Sequence, residues 1–513
     1  MILIRSLLSR SLWSVALLAL TLAASTFHLH YLAQLDRDGE NSGSEGEILA
    51  GLSRVTGGVP LYQDYRQPPH VLAQYTPLYY IIPGSIARCL GTQGAAVFLV
   101  GRIYTYLCWL AVGGCLYWLT RQAGAARWAS IVAALLWYAT ELAPNHAVSF
   151  RPDAPQLFWS LAAIGLCRSS WGWRSWLGGT GLLVVAFLHK QVAVMPLLAL
   201  LIAECQARRW TRAGAMAGVW ALAVAVAGGL LQWWTAGVFG LNVFNSLSII
   251  APRGQVELVL MLALTRGWPV WIGAALGFAD RSHRAPSFWR WYFVGSLGLA
   301  LASSAKFGSA QSYYLEPLAA GCVLTGLWVS RQDEQRERWR WAWLTNVLVA
   351  LTFSPAVLVA ATWPAWKESV VNHRAVRAET AADWQRLLHN LEPLTEPVLI
   401  EDTYLAARAH WPPYLINASQ FSLWQEVGKF DDTNLRRDIV AGHFGAILTT
   451  APVDSTQPGF RHFPQRWLTL IGEHYRLAQT HDGAWGPRVW VYLPVAPACA
   501  NSQPTISNPT SGR

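Results

Sequence analysis

Charge is scarce in this sequence of 513 residues, in which Asp, Glu, Lys and Arg make up only 13% while hydrophobic residues make up 53%. A soluble protein of this length would divide into several domains with charged surfaces, so the composition argues against that class. The mean hydropathy is positive as well. These values are typical of an integral membrane protein with many spans.

Several motifs of soluble enzymes are also missing. The sequence has neither a glycine-rich dinucleotide fingerprint nor a P-loop, which argues against an enzyme driven by a nucleotide sugar or ATP. The seven Cys residues show no Cys-x-x-Cys pair and no metal-type spacing, so free buried thiols are expected. The net charge of +10 does not indicate a nucleic-acid partner, because the Arg residues form short separate clusters instead of one stripe.

Apolar windows near the length of about 20 residues that a membrane-spanning helix needs recur along the chain. They cover residues 12–32, 96–119, 128–142, 213–234 and 341–363, and several others are shorter or broken. Arg5 and Arg10 precede the first window, as in a signal peptide. Because that window is longer than a signal core and further spans follow it, it is predicted to be an uncleaved first helix.

Basic clusters between the windows predict the orientation, since cytoplasmic loops collect Lys and Arg. With the N-terminus inside, every cluster falls on a cytoplasmic turn: Arg121 and Arg127; Arg168 and Arg174; Arg208, Arg209 and Arg212; Arg281, Arg284 and Arg290; and Arg331 to Arg340. About 11 transmembrane helices satisfy this alternation if residues 176–204 form two short spans around His189. The C-terminal part of the chain then lies outside the cytoplasm.

The composition predicts three parts, which are a transmembrane domain over residues 1–364, a small α/β domain over 365–495 and a disordered tail over 496–513. Short β-rich runs at 398–400, 446–449 and 489–493 and a helical stretch at 381–391 indicate the α/β domain. The tail is rich in Pro, Ser, Asn and Thr. Glu401, Asp402, Asp431 and Asp432 could bind an acceptor or simply cap strand ends.

The first outer loop, over about residues 35–95, is long and unusually acidic. It contains Asp36, Asp38, Glu40, Glu45, Glu47 and Asp64, which in isolation could be a solvated surface. Amphipathic stretches at 48–55 and 75–86 predict helices that lie in the membrane interface.

Further polar residues flank the apolar windows on the same predicted membrane face. They are Arg151-Pro152-Asp153, His189-Lys190-Gln191, Lys306 and the run from Gln311 to Glu316. Ionisable groups at membrane depth are costly and usually face a cavity, although simple structural pairing, such as Lys190 with Glu316, is the alternative. Such a ring suits transfer from a lipid-phosphate donor, with a carboxylate as base on an acceptor hydroxyl and cations on the leaving phosphate.

The same residues resemble the GT-C superfamily of membrane glycosyltransferases, in particular the protein O-mannosyltransferase and aminoarabinose transferase group. The resemblance rests on an ordered set of short motifs over roughly the first 330 residues: Ser-Glu-Gly-Glu at 44–47, Gly-Gly-Val-Pro-Leu-Tyr-Gln-Asp-Tyr at 57–65, Tyr-Thr-Pro-Leu-Tyr-Tyr at 75–80, Arg-Pro-Asp at 151–153, Lys-Gln at 190–191 and Tyr-Tyr-Leu-Glu-Pro at 313–317.

The resemblance implies an inverting transfer of a hexose or pentose from a polyprenyl-phosphate sugar on the outer side of a bacterial inner membrane. The acceptor would be a lipid, a glycan or a protein. It places the general base at Glu45, and because Ser44 stands where many relatives have Asp, Glu47 is the alternative. Asp153 is the second acidic candidate, Lys190 and Arg151 are the phosphate-binding candidates, and Arg102 is a phosphate contact or a helix-end anchor. The candidates for substrate binding are His189, Gln191, Tyr313, Tyr314, Glu316 and Tyr75.

Other functions remain open at the level of sequence. A transporter or lipid flippase could use the same polar residues, although it would be expected to place them near the midplane and to show paired interrupted helices. A membrane-anchored scaffold would not need the acidic first loop. A divalent metal in that loop is possible, but no spacing demands one.

Overall fold

The computed structural model describes residues 2–36, 45–93, 96–169, 172–245, 250–251, 253–280, 287–334, 373–392, 394, 396–409, 411–455, 463–481 and 488–495. The expected span at 341–363, the tail from residue 496, and Asp38 and Glu40 of the first outer loop lie outside these ranges. The described residues form two compact units. The first comprises Met1–Tyr65 and Val71–Ala381, and the second comprises Arg66–His70 and Ala382–Arg513.

The first unit is helical. Its helices are α1 (Ile2–Leu32), α2 (Glu45–Thr56), α3 (Leu78–Cys89), α4 (Ala96–Gln122), α5 (Arg127–Ala139), α6 (Asp153–Cys167), α7 (Trp173–His189), α8 (Met195–Gln206), α9 (Trp210–Trp234), α10 (Val238–Asn245), α11 (Arg253–Ala279), α12 (Ser287–Ser304) and α13 (Leu315–Glu334). Short 3-10 turns at Pro144–His146 and Gln311–Tyr314 precede α6 and α13. A further helix, α14 (His373–Leu391), crosses from the first unit into the second.

Four of the described helices are long and apolar enough to cross a bilayer: Ser14–Leu32 within α1, α4, α9 and α11. Helix α9 buries only Ala213 and Met216, while Leu222 and Leu230 are exposed along it. An apolar helix with so little buried surface would be unfavourable in water, but it suits a lipid-facing position. The chain is therefore a multi-pass membrane protein.

Two features of the helices depart from a simple series of spans. The window at 128–142 is helical only to Ala139, because Thr140 turns into an extended conformation. The two short helices expected around His189 are present as α7 and α8, separated where the Lys190 backbone becomes extended at φ −153°. Pro196, in the first turn of α8, suits a helix start because its missing N–H needs no partner there.

The first outer loop contains two helices close to the predicted amphipathic stretches, since α2 covers 48–55 and α3 overlaps most of 75–86. They pack closely because Gly51 lacks a side chain, as a Cβ atom there would lie 2.6 Å from the Tyr80 ring. Both helices have 12 residues and are too short to span a bilayer.

The second unit contains a four-stranded sheet of β1 (Val398–Ile400), β2 (Ala446–Thr449), β3 (Tyr475–His481) and β4 (Val489–Pro494), in the order β1-β2-β4-β3. Strands β1 and β2 are parallel, with Leu399 opposite Ile447, and the other pairings are antiparallel. The parallel pair needs a crossover, which contains α15 (Thr403–Arg408), α16 (Ala418–Glu426) and α17 (Thr433–Val440). Helix α18 (Gln465–His474) precedes β3.

The division between the units differs from the boundary expected at residue 364. It falls at Ala381 and Ala382, and five residues of the first outer loop join the second unit. His70 explains this grouping, because its N–H donates to Tyr414 O at 2.7 Å and its carbonyl accepts from Ile416 N at 2.9 Å. The imidazole ring also packs edge-on against Phe430, with ring centroids 5.0 Å apart.

Candidate functional site

Glu45, the first residue of α2, forms a buried ion pair with Arg102 of α4. The carboxylate accepts from Arg102 Nε at 3.1 Å and from Arg102 Nη2 at 2.8 Å, and it also accepts from Phe150 N at 2.6 Å. The residue is 0% exposed. Gly101 permits this arrangement, since a Cβ atom there would lie 2.6 Å from the Phe150 ring. The geometry therefore uses Arg102 to hold α2 against α4.

Glu47 has different surroundings, although it lies only two residues further along α2. Its carboxylate accepts no hydrogen bond within the described part of the chain and is only partly buried. Burial raises the pKa of Glu47 to about 8, and the nearby Arg151 opposes the shift. A carboxyl group with a pKa close to the operating pH can accept a proton effectively.

Lys190 and Asp153 form the second buried ion pair, with 2.6 Å between Nζ and Oδ1. The helix break after α7 supplies Lys190, and the start of α6 supplies Asp153 in its first turn, where a carboxylate also suits the helix dipole. The Lys190 ammonium lies 4.3 Å from the centroid of the Tyr313 ring. This cation is therefore held in place by a carboxylate and an aromatic ring.

A small pocket opens beside this pair. Its walls come from four places in the first unit: Asp153, Gln156 and Leu157 of α6; Lys190 and Val192 of the break; Ser296, Leu299 and Ala300 of α12; and Ser312, Tyr313, Leu315 and Glu316 around the start of α13. The structure thus brings Asp153, Lys190, Tyr313 and Glu316 together at one cavity. Neither Glu45 nor Glu47 lines this pocket. Tyr75 and Arg151 are close enough to Asp153 and Tyr313 to interact with them electrostatically.

Two further ionisable residues lie near this pocket. Lys306, after α12, has no ion pair or side-chain hydrogen bond with any described residue, and burial together with the charge of Lys190 lowers its pKa to about 8. His146 is 5% exposed, and neither ring nitrogen meets a hydrogen-bond partner among the described residues. Burial, followed by the charge of Arg151, lowers the pKa of His146 to about 3, so its ring is neutral at physiological pH.

Other predicted substrate-binding residues have contacts inside the bundle. His189 is 0% exposed and lies 2.7 Å from the Tyr104 hydroxyl through Nε2 and 2.8 Å from Val185 O through Nδ1. Gln191 donates to Gln74 O at 3.1 Å, which ties the break between α7 and α8 to the first outer loop. The Tyr314 hydroxyl pairs with Ser304 Oγ at 3.1 Å. None of these three side chains lines the pocket.

Tyr75 is the last of the predicted substrate-binding residues. Burial raises the pKa of its hydroxyl to about 12, so this group stays protonated and can donate a hydrogen bond. Its backbone carbonyl accepts from the Tyr62 hydroxyl at 2.8 Å, which fixes this part of the first outer loop.

The acidic residues of the second unit are occupied by local contacts. Asp402 caps α15 by accepting from Tyr404 N at 2.9 Å, and Glu401 accepts from Thr450 Oγ1 at 2.8 Å. Asp432 accepts from Trp467 Nε1 at 2.6 Å and pairs with Arg466. These contacts agree with a structural role at strand and helix ends.

Metal ligands do not gather in the part of the chain that is described. No group of three or more His, Cys, Asp or Glu residues suited to an ion occurs there.

Sequence reasoning did not identify Gln156 and Ser296 as site residues. The sequence could have indicated Gln156, because this residue lies three positions after Asp153 and so shares its helix face. Nothing in the sequence indicated Ser296, since a Ser within an apolar helix usually bonds back to its own backbone, as Ser296 does to Tyr292 O at 2.6 Å. Lys306 was noted in the polar ring but received no role.

Solved structures share this architecture at low sequence identity. ArnT from Cupriavidus metallidurans in the apo state superposes with a TM-score of 0.60 at 14% identity, covering 93% of this chain and 97% of that one. The same protein bound to undecaprenyl phosphate superposes with a TM-score of 0.59 at 15% identity, and the match covers 92% of this chain and 97% of that one. A third match is the oligosaccharyltransferase AglB from Archaeoglobus fulgidus, in complex with an inhibitory peptide and a dolichol-phosphate. It superposes with a TM-score of 0.50 at 11% identity, and the match covers 85% of this chain and 69% of that one.

No protein-family model and no curated protein sequence matches the chain. The structural matches show that the chain has the GT-C fold, as its sequence motifs predicted.

Proposed function

We propose that this protein is an inverting glycosyltransferase that moves a sugar from a polyprenyl-phosphate-linked donor to a hydroxyl group of an acceptor. The observation that carries the proposal is the buried Lys190–Asp153 pair at the wall of a polar pocket, in a chain with the GT-C fold. A structure of similar fold, ArnT from Cupriavidus metallidurans, holds undecaprenyl phosphate. A lipid-linked phosphate therefore suits a membrane protein with buried cations.

Lys190 is the proposed contact for the donor phosphate. Asp153 fixes its position, and desolvation strengthens the attraction between an ammonium and a phosphate. Lys306 is proposed as a second contact, because its ammonium has no partner among the described residues. It also lies close enough to Lys190 for the charge of Lys190 to lower the pKa of Lys306. Arg151, which lies near Asp153, is proposed to add a third positive charge beside the donor phosphate. In this assignment Asp153 positions Lys190 and does not act as a base.

Glu47 is the proposed general base, in preference to Glu45. The Glu45 carboxylate is used by Arg102 and by Phe150 N, whereas the Glu47 carboxylate has no such contacts. In the reaction the acceptor oxygen attacks the anomeric carbon from the side opposite the phosphate, and its proton passes to Glu47. The bond between the anomeric carbon and the phosphate oxygen breaks, and the electron pair leaves with polyprenyl phosphate. Lys190 and Lys306 stabilise the added charge.

The proposed location is the bacterial inner membrane, with the N-terminus in the cytoplasm and the second unit outside. The basic clusters of the sequence support this orientation, since they fall on alternate turns between the apolar windows. The donor would then lie in the outer leaflet, and the acceptor would be an envelope lipid, glycan or protein.

The test is release of free polyprenyl phosphate by purified protein in proteoliposomes that contain a polyprenyl-phosphate hexose and a cell-envelope extract. We expect Lys190→Gln to reduce release by about 100-fold or more, the typical effect of losing a group that stabilises transition-state charge. Lys429→Gln, which changes an exposed lysine of the second unit, is the matched control and should keep full activity.

The same assay separates transfer from transport. A transporter or flippase moves the intact donor and releases no free polyprenyl phosphate. Movement of donor across the bilayer without release in the native protein would reject the proposed enzyme.

A further inference from the structure

The turn that follows α5 lies at membrane depth in the proposed orientation. Helix α5 then begins at the cytoplasmic boundary with Arg127, and its 13 residues rise about 20 Å, whereas the hydrocarbon core is about 30 Å thick. Arg266, the middle residue of α11, lies at the same height, because its carbonyl accepts from Leu142 N at 3.2 Å. The turn therefore ends well short of the outer edge of the hydrocarbon core.

The ion pair at this turn, between Glu141 and Arg266, is open to its surroundings. Arg266 Nε lies 3.2 Å from Glu141 Oε1, and the two side chains are 27% and 48% exposed. In contrast, both side chains of the Lys190–Asp153 pair are at most 7% exposed. Ionisable groups at membrane depth are costly beside hydrocarbon and usually face water or a substrate path. The Glu141–Arg266 pair therefore marks a polar opening in the side of the first unit.

His146 lies buried five residues beyond Glu141, at the end of the 3-10 turn. Neither of its ring nitrogens meets a hydrogen-bond partner among the described residues. The ring is close enough to interact electrostatically with Arg266 of the opening and also with Arg151, Asp153 and Lys190. Buried polar atoms are nearly always paired, so an unpaired imidazole between the opening and the charged site indicates that a ligand completes it.

The hydrogen-bonding capacity of His146 distinguishes between the two substrates. A neutral imidazole has one N–H donor and one acceptor nitrogen. The phosphodiester of the donor carries no O–H and can pair only with the N–H, whereas a ligand with two hydroxyl groups can satisfy both nitrogens. Arg151, whose charge has the largest effect on His146, also acts on Glu47, the proposed base. The imidazole and the base thus lie near the same guanidinium group.

We infer that His146, reached through the opening at Glu141 and Arg266, binds the acceptor, and that the acceptor is a polyol such as a sugar. The inference rests on the proposed function and adds the binding site and chemical class of the acceptor. One nitrogen of His146 accepts from an acceptor hydroxyl and the other donates to a second hydroxyl. His146 takes up no proton in the reaction, because the attacking hydroxyl passes its proton to Glu47.

The first experiment tests the class of acceptor with the native protein. The protein is placed in phosphatidylcholine vesicles, whose headgroup has no hydroxyl, with a polyprenyl-phosphate hexose. The cell-envelope extract is divided into a lipid fraction and a lipid-free fraction of glycans and proteins, which identifies the source of the acceptor. We expect the active fraction to lose its ability to support release of polyprenyl phosphate after periodate treatment, because periodate cleaves between neighbouring hydroxyl groups. A serine or threonine side chain within a protein would survive this treatment.

The second experiment tests His146 with the active fraction. We expect His146→Phe to raise the apparent KM for the acceptor at least about tenfold, since it removes two hydrogen bonds, while the KM for the donor stays at its native value. His146→Asn keeps a donor and an acceptor group and should recover much of the lost affinity. The matched control is His389→Phe in α14, where the side chain is 82% exposed, and it should behave as the native protein does.

The possible failures are distinguishable. If neither fraction supports release with the native protein, the proposed function itself is rejected. If release occurs and survives periodate treatment, the polyol acceptor is rejected. If His146→Phe keeps the native KM for the acceptor, or raises the KM for the donor instead, the assignment of His146 is rejected. Thermal unfolding in detergent identifies a variant that fails to fold, and His146→Asn and the periodate test then decide the proposal.

Discussion

At the scale of single residues, Glu45 and Glu47 show how surroundings divide two similar carboxylates between different roles. Glu45 is fully buried, and three N–H groups point at its oxygens. Glu47 is only partly buried and has the positive charge of Arg151 nearby. A carboxylate whose acceptor sites are filled cannot take up a proton without losing those bonds, so the proton acceptor is expected at Glu47.

The pH dependence of transfer should report the ionisation of Glu47. Because burial raises its pKa to about 8, kcat/KM should rise with pH until this group is ionised. Arg151 lowers that pKa, so Arg151→Gln should move the rising limb to higher pH. The measurement is kcat/KM for the hexose donor from pH 5 to pH 10. An unchanged midpoint in Arg151→Gln would exclude Glu47 as the group that titrates.

Lys306 should account for a falling limb in the same profile. Its pKa is lowered to about 8 by burial and by the charge of Lys190, so it loses its proton, and its attraction for phosphate, as the pH rises further. Lys306→Arg should remove the falling limb while the rising limb stays in place, because an arginine remains charged throughout this range. Persistence of the falling limb in that variant would assign it to another group.

At the scale of secondary-structure elements, the helix break between α7 and α8 could be predicted from the polar residues within an apolar window. The extended backbone of Lys190 and the early proline of α8 account for it in the structure. The partners of Lys190 were less accessible to sequence reasoning. Pairing with Glu316 was considered, whereas the ammonium pairs with Asp153, and periodicity alone carries no information about contacts between distant helices.

Strand β3 was missed for a clear physical reason. It lies at the edge of the sheet, and all but its first residue are exposed or partly exposed, so the segment lacks the alternation of apolar and polar residues that predicts a strand. The strands β1, β2 and β4 contain short apolar runs and were predicted within one residue of their bounds. The buried strands were therefore predictable from their apolar residues, whereas the exposed strand β3 was not.

The Glu45–Arg102 pair should act as a structural link between α2 and α4. Removing either partner leaves a buried charge unpaired, which costs about 3–5 kcal/mol, so Glu45→Met and Arg102→Met should each lower the unfolding temperature markedly. The double variant should be less destabilised than the sum of the two single variants. Thermal unfolding in detergent measures this coupling. Full stability of Glu45→Gln together with complete loss of transfer would instead return the role of base to Glu45.

At the scale of the whole molecule, the GT-C fold was predictable from an ordered set of weak motifs, and the match to ArnT over 93% of the chain agrees with it. The number of spans was less predictable from hydropathy. Helices α6, α7 and α8 have 15, 17 and 12 residues, so neither length nor composition alone marks them as spans. Four described helices meet both criteria, and the count of about 11 spans stays a prediction.

The orientation of the molecule in the membrane provides the last prediction. The basic clusters place Arg209 in the cytoplasm and the second unit, including Val427, outside. In a background in which Cys89 and Cys499 are replaced by Ser, Val427→Cys should react with a membrane-impermeant maleimide in intact spheroplasts. Arg209→Cys, whose parent side chain is 61% exposed, should react only after the membrane is permeabilised. The reverse pattern would place the Lys190 pocket on the cytoplasmic side and reject an outer-leaflet donor.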